Sequence, residues 1–303
     1  MNILRDHKQV LNAMDKHSVA VIIPCYNSSK YIGKTLDSVL NQDYKYLETV
    51  AIDDGSTDET RKVLESYLPK IRILSHPNNA NLGPAASVNL GISESKSDLI
   101  AFLDSDDMWY PNKIEEQVKI FEKYSDVGLV YTNGYVVDES DNILYELFPH
   151  GFQEGNISRK ILLKCYIKTP SSVMVRREAF EKIGLFQPYL RSGQDHDMWI
   201  RMGEVANFYY LPQFLTAYRK RPGQISSRRQ LWEEGFTILG DACQRYPYGV
   251  NLRRKRLAVL YYRLGKYDWD HNDYFQALGN YFLAGILDPF RTVDLILNKI
   301  KTL

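Results

Sequence analysis

Three short acidic clusters hold the residue types that could do chemistry. They are Asp53-Asp54-Gly55-Ser56, then Leu103-Asp104-Ser105-Asp106-Asp107-Met108-Trp109, then Gly193-Gln194-Asp195-His196-Asp197-Met198-Trp199. A carboxylate placed just after a buried strand is desolvated unless it finds a donor. For Asp53 and Asp54 a nucleobase ring N–H is one such donor, and an Asx turn into the next helix is the plainer alternative. The second cluster has three carboxylates in four positions, which repel one another and raise one another's pKa unless a cation intervenes. A hard divalent ion, Mg²⁺ or Mn²⁺, suits such oxygen ligands and needs only one or two protein carboxylates when phosphate oxygens and water complete its shell. The alternative is a solvated acidic turn capping the helix after Pro111. In the third cluster Asp195 is expected in a loop just ahead of a helix, where Asp195 or Asp197 could simply cap the helix. Asp195-His196 with Ser192 would be a hydrolase-like set, but no nucleophile-elbow pattern accompanies it.

The elements around these clusters are regular. Val19 to Pro24 is a continuous apolar run, as expected for a strand buried on both faces. Further strands are predicted at 47–52, 71–74 and 99–103, with helices ending near Leu40, Leu68 and Ser93. This βαβ alternation implies a doubly wound, mainly parallel sheet with flanking helices, an α/β fold. Tyr26-Asn27, Asp53-Asp54 and Asp104–Asp107 then lie beyond the carboxyl ends of strands, where open α/β sheets bind ligands. Beyond Pro111 the pattern predicts a helix to Tyr124 and strands at 127–137, 142–148, 172–175, 207–211 and 214–219. Helices are predicted at 177–183 and 197–205. From about Ser227 the chain reads as helical, at 229–245, 251–265, 272–287 and 290–301. The organisation expected is an N-terminal arm (1–17), a catalytic domain (18–226, divided at 110 into nucleotide and acceptor halves) and a C-terminal helical extension (227–303).

Composition narrows the function classes. A net charge of +1 over 303 residues offers no global field for nucleic acid. Cys25, Cys165 and Cys243 form no pair suited to zinc or a disulfide framework, which fits a reducing compartment. The first residues are too polar for a signal peptide, and no apolar run approaches the ~18 residues of a membrane span. The expected location is therefore cytoplasmic, with the inner face of the membrane as a meeting place for an acceptor. The basic run Arg253-Arg254-Lys255-Arg256 in the helical tail could give peripheral contact with anionic lipid, a solvated helix face being the plainer reading.

In order and spacing, Val21-Ile22-Ile23-Pro24-Cys25-Tyr26-Asn27, Ile52-Asp53-Asp54-Gly55-Ser56-Thr57-Asp58 and Leu103–Trp109 together resemble the family 2 glycosyltransferases of the GT-A fold. Ser171-Ser172-Val173, Gly184-Leu185-Phe186 and Asp195–Arg201 extend the resemblance over about residues 18–226. It implies an inverting enzyme that moves a sugar from a nucleotide diphosphate, commonly of uracil, to a saccharide, lipid-linked or protein-linked hydroxyl. Carried over by position, Pro24 and Tyr26 would line the base pocket and Asp54 would hold the base. Asp104, with Ser105 beside it, would contact ribose or the metal's waters, Asp106 would be the principal ligand of Mn²⁺ or Mg²⁺, and Asp195 the general base.

The sequence departs from the family's pattern at three places. Val88 stands where an Arg is frequent, and Gln194 where a Glu commonly precedes the base. Arg221 stands where some relatives carry a late metal-binding His; an Arg cannot ligate a cation, but Arg221 or Arg219 could grip the diphosphate. The QxxRW signature of processive synthases is absent, which points to single addition. A nucleotidyltransferase would need a Gly-rich basic loop after the first strand, and a dehydrogenase GxGxxG; neither is present. A non-catalytic nucleotide-sugar binder or assembly factor on the same fold is the alternative from a different class.

Overall fold

The computed structural model describes residues 17–221 and 228–291, which leaves most of the expected arm and the last expected helix beyond residue 291 outside the described residues. The chain divides into two compact, interleaved units. The first comprises Met1–Gly155, Ile167–Phe186 and Val205–Lys220; the second comprises Asn156–Tyr166, Gln187–Glu204 and Arg221–Leu303. The last stretch of the second unit begins at Arg221, and two earlier segments belong to the same unit.

The first unit is built on one sheet of nine strands. These are β1 (Val19–Cys25), β2 (Leu47–Asp53), β3 (Arg72–Ser75), β4 (Leu99–Phe102), β5 (Met108–Trp109), β6 (Val127–Val137), β7 (Ile143–Glu146), β8 (Val173–Arg176) and β9 (Asn207–Arg219). Their order is β3-β2-β1-β4-β8-β6-β9-β5, with β7 paired to β6. β1 to β4 are mutually parallel, with Val19 opposite both Leu47 and Leu99. β1 lies between β2 and β4, so helices cover both its faces, and every residue of VAVIIPC except Pro24 is buried. β8 enters antiparallel to both β4 and β6, and β9 runs parallel to β6.

Helices α1 (Ile32–Leu40), α2 (Thr60–Ser66), α3 (Pro84–Glu94) and α4 (Lys113–Lys123) join or flank these strands, followed later by α6 (Glu178–Ile183). In α1, Ile32, Leu36 and Val39 are buried at the i, i+4, i+7 spacing of one helix face. α3 lies very close to the sheet. A Cβ at Gly91 would stand 2.7 Å from Ile22 Cγ2, so no larger residue fits there without displacement.

Two expectations change. The strands expected at 207–211 and 214–219 are one strand, β9, whose register against β6 shifts at Thr132–Gly134. The short strand β5, not foreseen, pairs Met108 with Ala217 and Trp109 with Thr216, fastening the end of the second acidic cluster to β9.

The second unit is helical. Its elements are α5 (Ser158–Leu163), α7 (Gln194–Val205), α8 (Gln230–Arg245), α9 (Val250–Asp270) and α10 (Tyr274–Leu287). Within it Gly235 lets α8 approach Leu260 of α9, and Tyr262 of α9 meets Tyr281 of α10 at 5.6 Å between ring centroids. α5 was not foreseen, and α7 begins three residues earlier than expected.

Candidate active site

In the first unit the loops leaving β1, β2 and β4 lie side by side because their strands are neighbours. The first two are stitched together. Asp54 N–H donates to Cys25 O at 2.8 Å, Asn27 N–H to Ser56 Oγ at 3.1 Å and Thr57 N–H to Asn27 Oδ1 at 2.8 Å. Pro24 is half-buried, and Tyr26 next to it is half-exposed at the strand end, an aromatic face open to a ligand.

Asp53 and Asp54 divide their work. Asp53 Oδ1 accepts from Ser56 N–H at 3.0 Å, the Asx turn weighed above. Asp54 is buried, and its two oxygens accept from Leu82 N–H at 2.8 Å and Gly83 N–H at 2.9 Å, just ahead of the N-terminus of α3. Its Oδ1 also lies 3.5 Å from His76 Nε2. A carboxylate has about four lone-pair sites, so these contacts leave acceptor capacity for a further N–H. Gly55 makes the turn possible: its φ is +74°, and a Cβ there would stand 2.4 Å from Asn79 O.

The acidic loop after β4 is held from several directions. Asp107 N–H donates to Asp104 O at 3.0 Å, and Asp104 N–H to Ser171 Oγ at 3.0 Å. Thr35 Oγ1 stands 2.8 Å from Asp107 O and 3.0 Å from Ser105 O. Asp107 is fully buried; Oδ1 accepts from Arg219 N–H at 2.8 Å and Oδ2 from Thr169 Oγ1–H at 3.2 Å. Burial first, and then the charges of Asp106 and Asp104, push its carboxyl well above the ordinary carboxylate range. Asp107 is therefore part of the scaffold. Asp106 is mostly buried and Asp104 half-buried, and Thr169 Oγ1 also stands 3.5 Å from Asp104 Oδ2.

That donor set bears on a metal. Among the described residues no group of three or more His, Cys, Asp and Glu is arranged as a cage. Two hard carboxylates on one loop suit Mg²⁺ or Mn²⁺, which take most of their shell from phosphate and water, and do not suit a closed zinc site. The residues fit the ion expected from sequence.

Arg219 is one of the two arginines expected to grip the diphosphate. It is 1% exposed. Nε donates to Asp106 O and Nη1 to Asp138 O, each at 2.8 Å, while Nη2 pairs with Asp141 Oδ1 at 2.6 Å. The guanidinium also lies 4.9 Å from the Tyr31 ring centroid. Each arm of the fork thus meets the protein, so Arg219 braces the acidic loop. Arg221, exposed, belongs to the second unit.

Asp195 also belongs to the second unit, in the first turn of α7 rather than in a loop ahead of it. Its Oδ1 accepts from its neighbour His196 N–H at 2.7 Å, and burial pushes the carboxyl above its ordinary range. His196 is not its partner in a dyad. The ring lies in the core with Nε2 2.8 Å from Ile161 O and Nδ1 3.4 Å from Arg256 Nη2. Burial and the Arg256 charge push its pKa down to about 3, so the ring is neutral. Asp197, the other capping candidate, is instead paired with Arg201 at 2.7 Å in a buried i,i+4 bridge. Ser192 Oγ and Gln194 Oε1, just before Asp195, are buried without a hydrogen-bond partner among the described residues.

The structure therefore gathers Pro24, Tyr26, Asp54, Asp104, Ser105, Asp106 and Arg219 in one unit, and carries Asp195 and Arg221 in the other. Sequence reading missed the braces Thr35 and Thr169, whose only signal was a hydroxyl, and named Asp107 and Ser171 as parts of motifs without their bracing roles.

A family model described as Glycosyl transferase family 2 matches residues 20–184. This chain belongs to that family. The match covers the strands and loops that carry Pro24, Tyr26, Asp54 and Asp104–Asp107. A relative named as an uncharacterized glycosyltransferase of Rickettsia bellii is 35% identical over 216 residues, which is 69% of this glycosyltransferase but only 31% of that relative's length. Among solved structures, Staphylococcus aureus TarS 1–349 in complex with UDP-GlcNAc is similar with a TM-score of 0.63 at 18% identity, covering 91% of this chain and 82% of that one. The mannosyltransferase PcManGT of Pyrobaculum calidifontis, in complex with GDP-Man and Mn²⁺, is similar with a TM-score of 0.60 at 17% identity, covering 95% and 80%. At such identities the likeness concerns the fold, which is of the GT-A type. Among the described residues of this glycosyltransferase no helix is long and apolar enough to cross a membrane.

Proposed function

We propose that this family 2 glycosyltransferase transfers one sugar per cycle, with inversion, from a nucleoside diphosphate sugar to an acceptor hydroxyl in glycan or glycoconjugate synthesis. The reading rests above all on the acidic loop after β4. The loop ties Asp107 inward and carries Asp104 and Asp106 beside it, just beyond the carboxyl end of β4. When bound there, Mn²⁺ or Mg²⁺ supplies charge to stabilise the departing diphosphate. Asp106 would be its main ligand, and Asp104 would contact its waters or the ribose.

The chain's own residues do the rest. Tyr26 and Pro24 flank the base, and Asp54 accepts its ring N–H with the capacity that the Leu82 and Gly83 amides leave. Asp195 takes the proton of the acceptor hydroxyl. As that oxygen bonds to the anomeric carbon, the bond from carbon to the diphosphate oxygen breaks and its electron pair leaves with the nucleotide. A carboxylate whose pKa is raised by burial is a better base than a solvated one. A single displacement inverts the anomeric centre and needs no covalent sugar–enzyme bond. Arg221, which is exposed, assists the diphosphate, while Arg219 acts on it through the loop.

Uracil is the favoured base, supported by the UDP-GlcNAc complex of TarS; the GDP-Man complex of PcManGT makes guanine the competitor. The acceptor class is a saccharide, lipid-linked or protein-linked, met at the cytoplasmic side. A thermal-shift screen of UDP, GDP and their sugars, with and without Mn²⁺, tests the donor reading, since a ligand of the folded state raises the melting temperature. Stabilisation by UDP-sugars that requires the ion is expected; no response to any nucleotide contradicts it. Metal-dependent binding without turnover across an acceptor panel would favour the non-catalytic binder.

A further inference from the structure

The second unit carries a surface that sugar transfer does not use. Helix α10 (Tyr274–Leu287) contains no charged residue. It packs antiparallel on α9 through one narrow face, with Ala277 and Ala284 buried. Trp269 meets Tyr274 and Tyr262 meets Tyr281, and Gly265 allows the approach, since a Cβ there would stand 3.0 Å from Ala277 O. The opposite face is apolar and open. Phe275, Phe282 and Phe290 are 86%, 69% and 89% exposed, and Leu278 and Ile286 are each more than half exposed. Within α10 the spacing of Phe275, Leu278, Phe282 and Ile286 puts them on one stripe, and Phe290 follows beyond the helix's end at Asp288. Soluble monomers seldom expose contiguous apolar patches beyond about 300–600 Å² without a use for them.

Charge at one end of the stripe says what the use is. Phe290 and Arg291 follow the end of α10, and the pairs Trp269–Tyr274 and Tyr262–Tyr281 show α9 running back toward Arg254, Lys255 and Arg256 as α10 runs toward Leu287. Arg291 and Arg263 lie near enough to Arg256 to disfavour its charge. Arg256 itself is buried against Leu163 O and His196, whereas Arg254 is exposed and bonded only to Asn251 Oδ1. Among the described residues none of Arg254, Lys255, Arg256 and Arg291 pairs with a carboxylate. Nearby acids are engaged elsewhere: Asp273 caps α10, Asp288 is buried and Asp270 pairs with Lys266. An uncharged apolar stripe ending in unneutralised cations is complementary to a surface with apolar depth and negative headgroups.

We propose that the outer face of α10 docks on an anionic lipid bilayer, with Phe275, Leu278, Phe282, Ile286 and Phe290 at the headgroup–acyl boundary and Arg254, Lys255 and Arg291 on lipid phosphates. The proposal stands apart from the transfer reading, because its test reads binding alone. Co-sedimentation of the full chain with phosphatidylcholine vesicles, with and without a third of phosphatidylglycerol, tests it. The expected result is at least tenfold more protein bound to the anionic vesicles, weakened by high salt. Phe275→Ser/Phe282→Ser/Phe290→Ser, with an unchanged melting temperature, should abolish binding. Arg254→Gln/Arg291→Gln should remove the preference for the anionic lipid. Binding unaffected by either variant, or absent from both vesicle types, overturns the proposal. So does a concentration-dependent dimer that the Phe variant dissolves while vesicles bind nothing, since the face then belongs to a second copy.

Discussion

The backbone N–H of Arg219 donates to Asp107 Oδ1 at 2.8 Å, joining residues 112 positions apart. This bond fastens the end of β9 to the acidic loop, and the Arg219 side chain repeats the fastening on Asp106 O, Asp138 O and Asp141. Arg219 thus helps to set the loop that carries the carboxylates proposed to meet a nucleotide.

Replacing Arg219 therefore tests bracing against ligand contact. Arg219→Met removes the guanidinium from the Asp106 and Asp138 carbonyls and from Asp141, which keeps Lys34, and should cost about 3 kcal/mol in chemical denaturation. Turnover should fall tenfold or more through misplacement of Asp106. Arg219→Lys should recover only part, because one ammonium cannot reach all three acceptors at once. Unchanged stability with only a loss of diphosphate affinity would restore the direct grip.

Asp54→Asn separates two roles of one carboxylate. Asn has a single side-chain oxygen for the two backbone amides of Leu82 and Gly83. The loss should be about 1.5–3 kcal/mol by denaturant titration. If Asp54 also holds the base, calorimetry at a temperature where the variant is fully folded should show weaker binding of UDP but unaltered binding of the metal–diphosphate portion, probed with Mn²⁺ and pyrophosphate.

Stability should depend on pH through His196. Its folded pKa lies near 3 against an ordinary 6.5. Below about pH 6.5 the unfolded chain takes up a proton that the folded chain refuses, so stability falls as pH drops from there toward 3. His196→Gln keeps a donor for Ile161 O and has no such titration. Denaturation curves between pH 7 and 4 should show a shallower loss for the variant than for the native chain. Parallel slopes would mean that His196 is protonated in the fold.

Asp195→Ala should lower kcat by roughly 10²–10⁴ while leaving nucleotide affinity unchanged. Because burial raises its pKa, the acid limb of the native pH–rate profile should lie above the ordinary carboxylate range, with activity lost as pH falls through it. A kinetic profile flat down to pH 4 would remove Asp195 from the base role.

Much of the fold was legible because β1 and β4 are buried on both faces and read as apolar runs, and β2 ends in one, Val50–Ile52, each followed by a polar cluster. β5 was not, since two residues have no periodicity and its partner lies in β9, over a hundred residues away. The bulged register opposite Thr132–Gly134 hid the continuity of β9. Within the site, the three acidic clusters were visible but the division of labour inside them was not. Nothing local tells Asp107 from Asp106, because the distinction comes from Thr169 and Arg219. Arg219 sat in a basic run, Tyr218-Arg219-Lys220-Arg221, which reads as solvated. Its burial depends on acceptors from segments near 106, 138 and 141. His196 looked like a catalytic neighbour of Asp195 until Arg256, 60 positions away, supplied the other half of its environment.

Time-resolved NMR of the anomeric centre, with a UDP-sugar, Mn²⁺ and an accepted acceptor, tests the central claim most directly. An α-linked donor should give a β-linked first product, formed by the native chain, abolished by chelator and reduced at least a hundredfold by Asp106→Ala. A first product that keeps the donor's configuration, or one formed equally well by Asp106→Ala in chelator, would contradict metal-assisted inverting transfer.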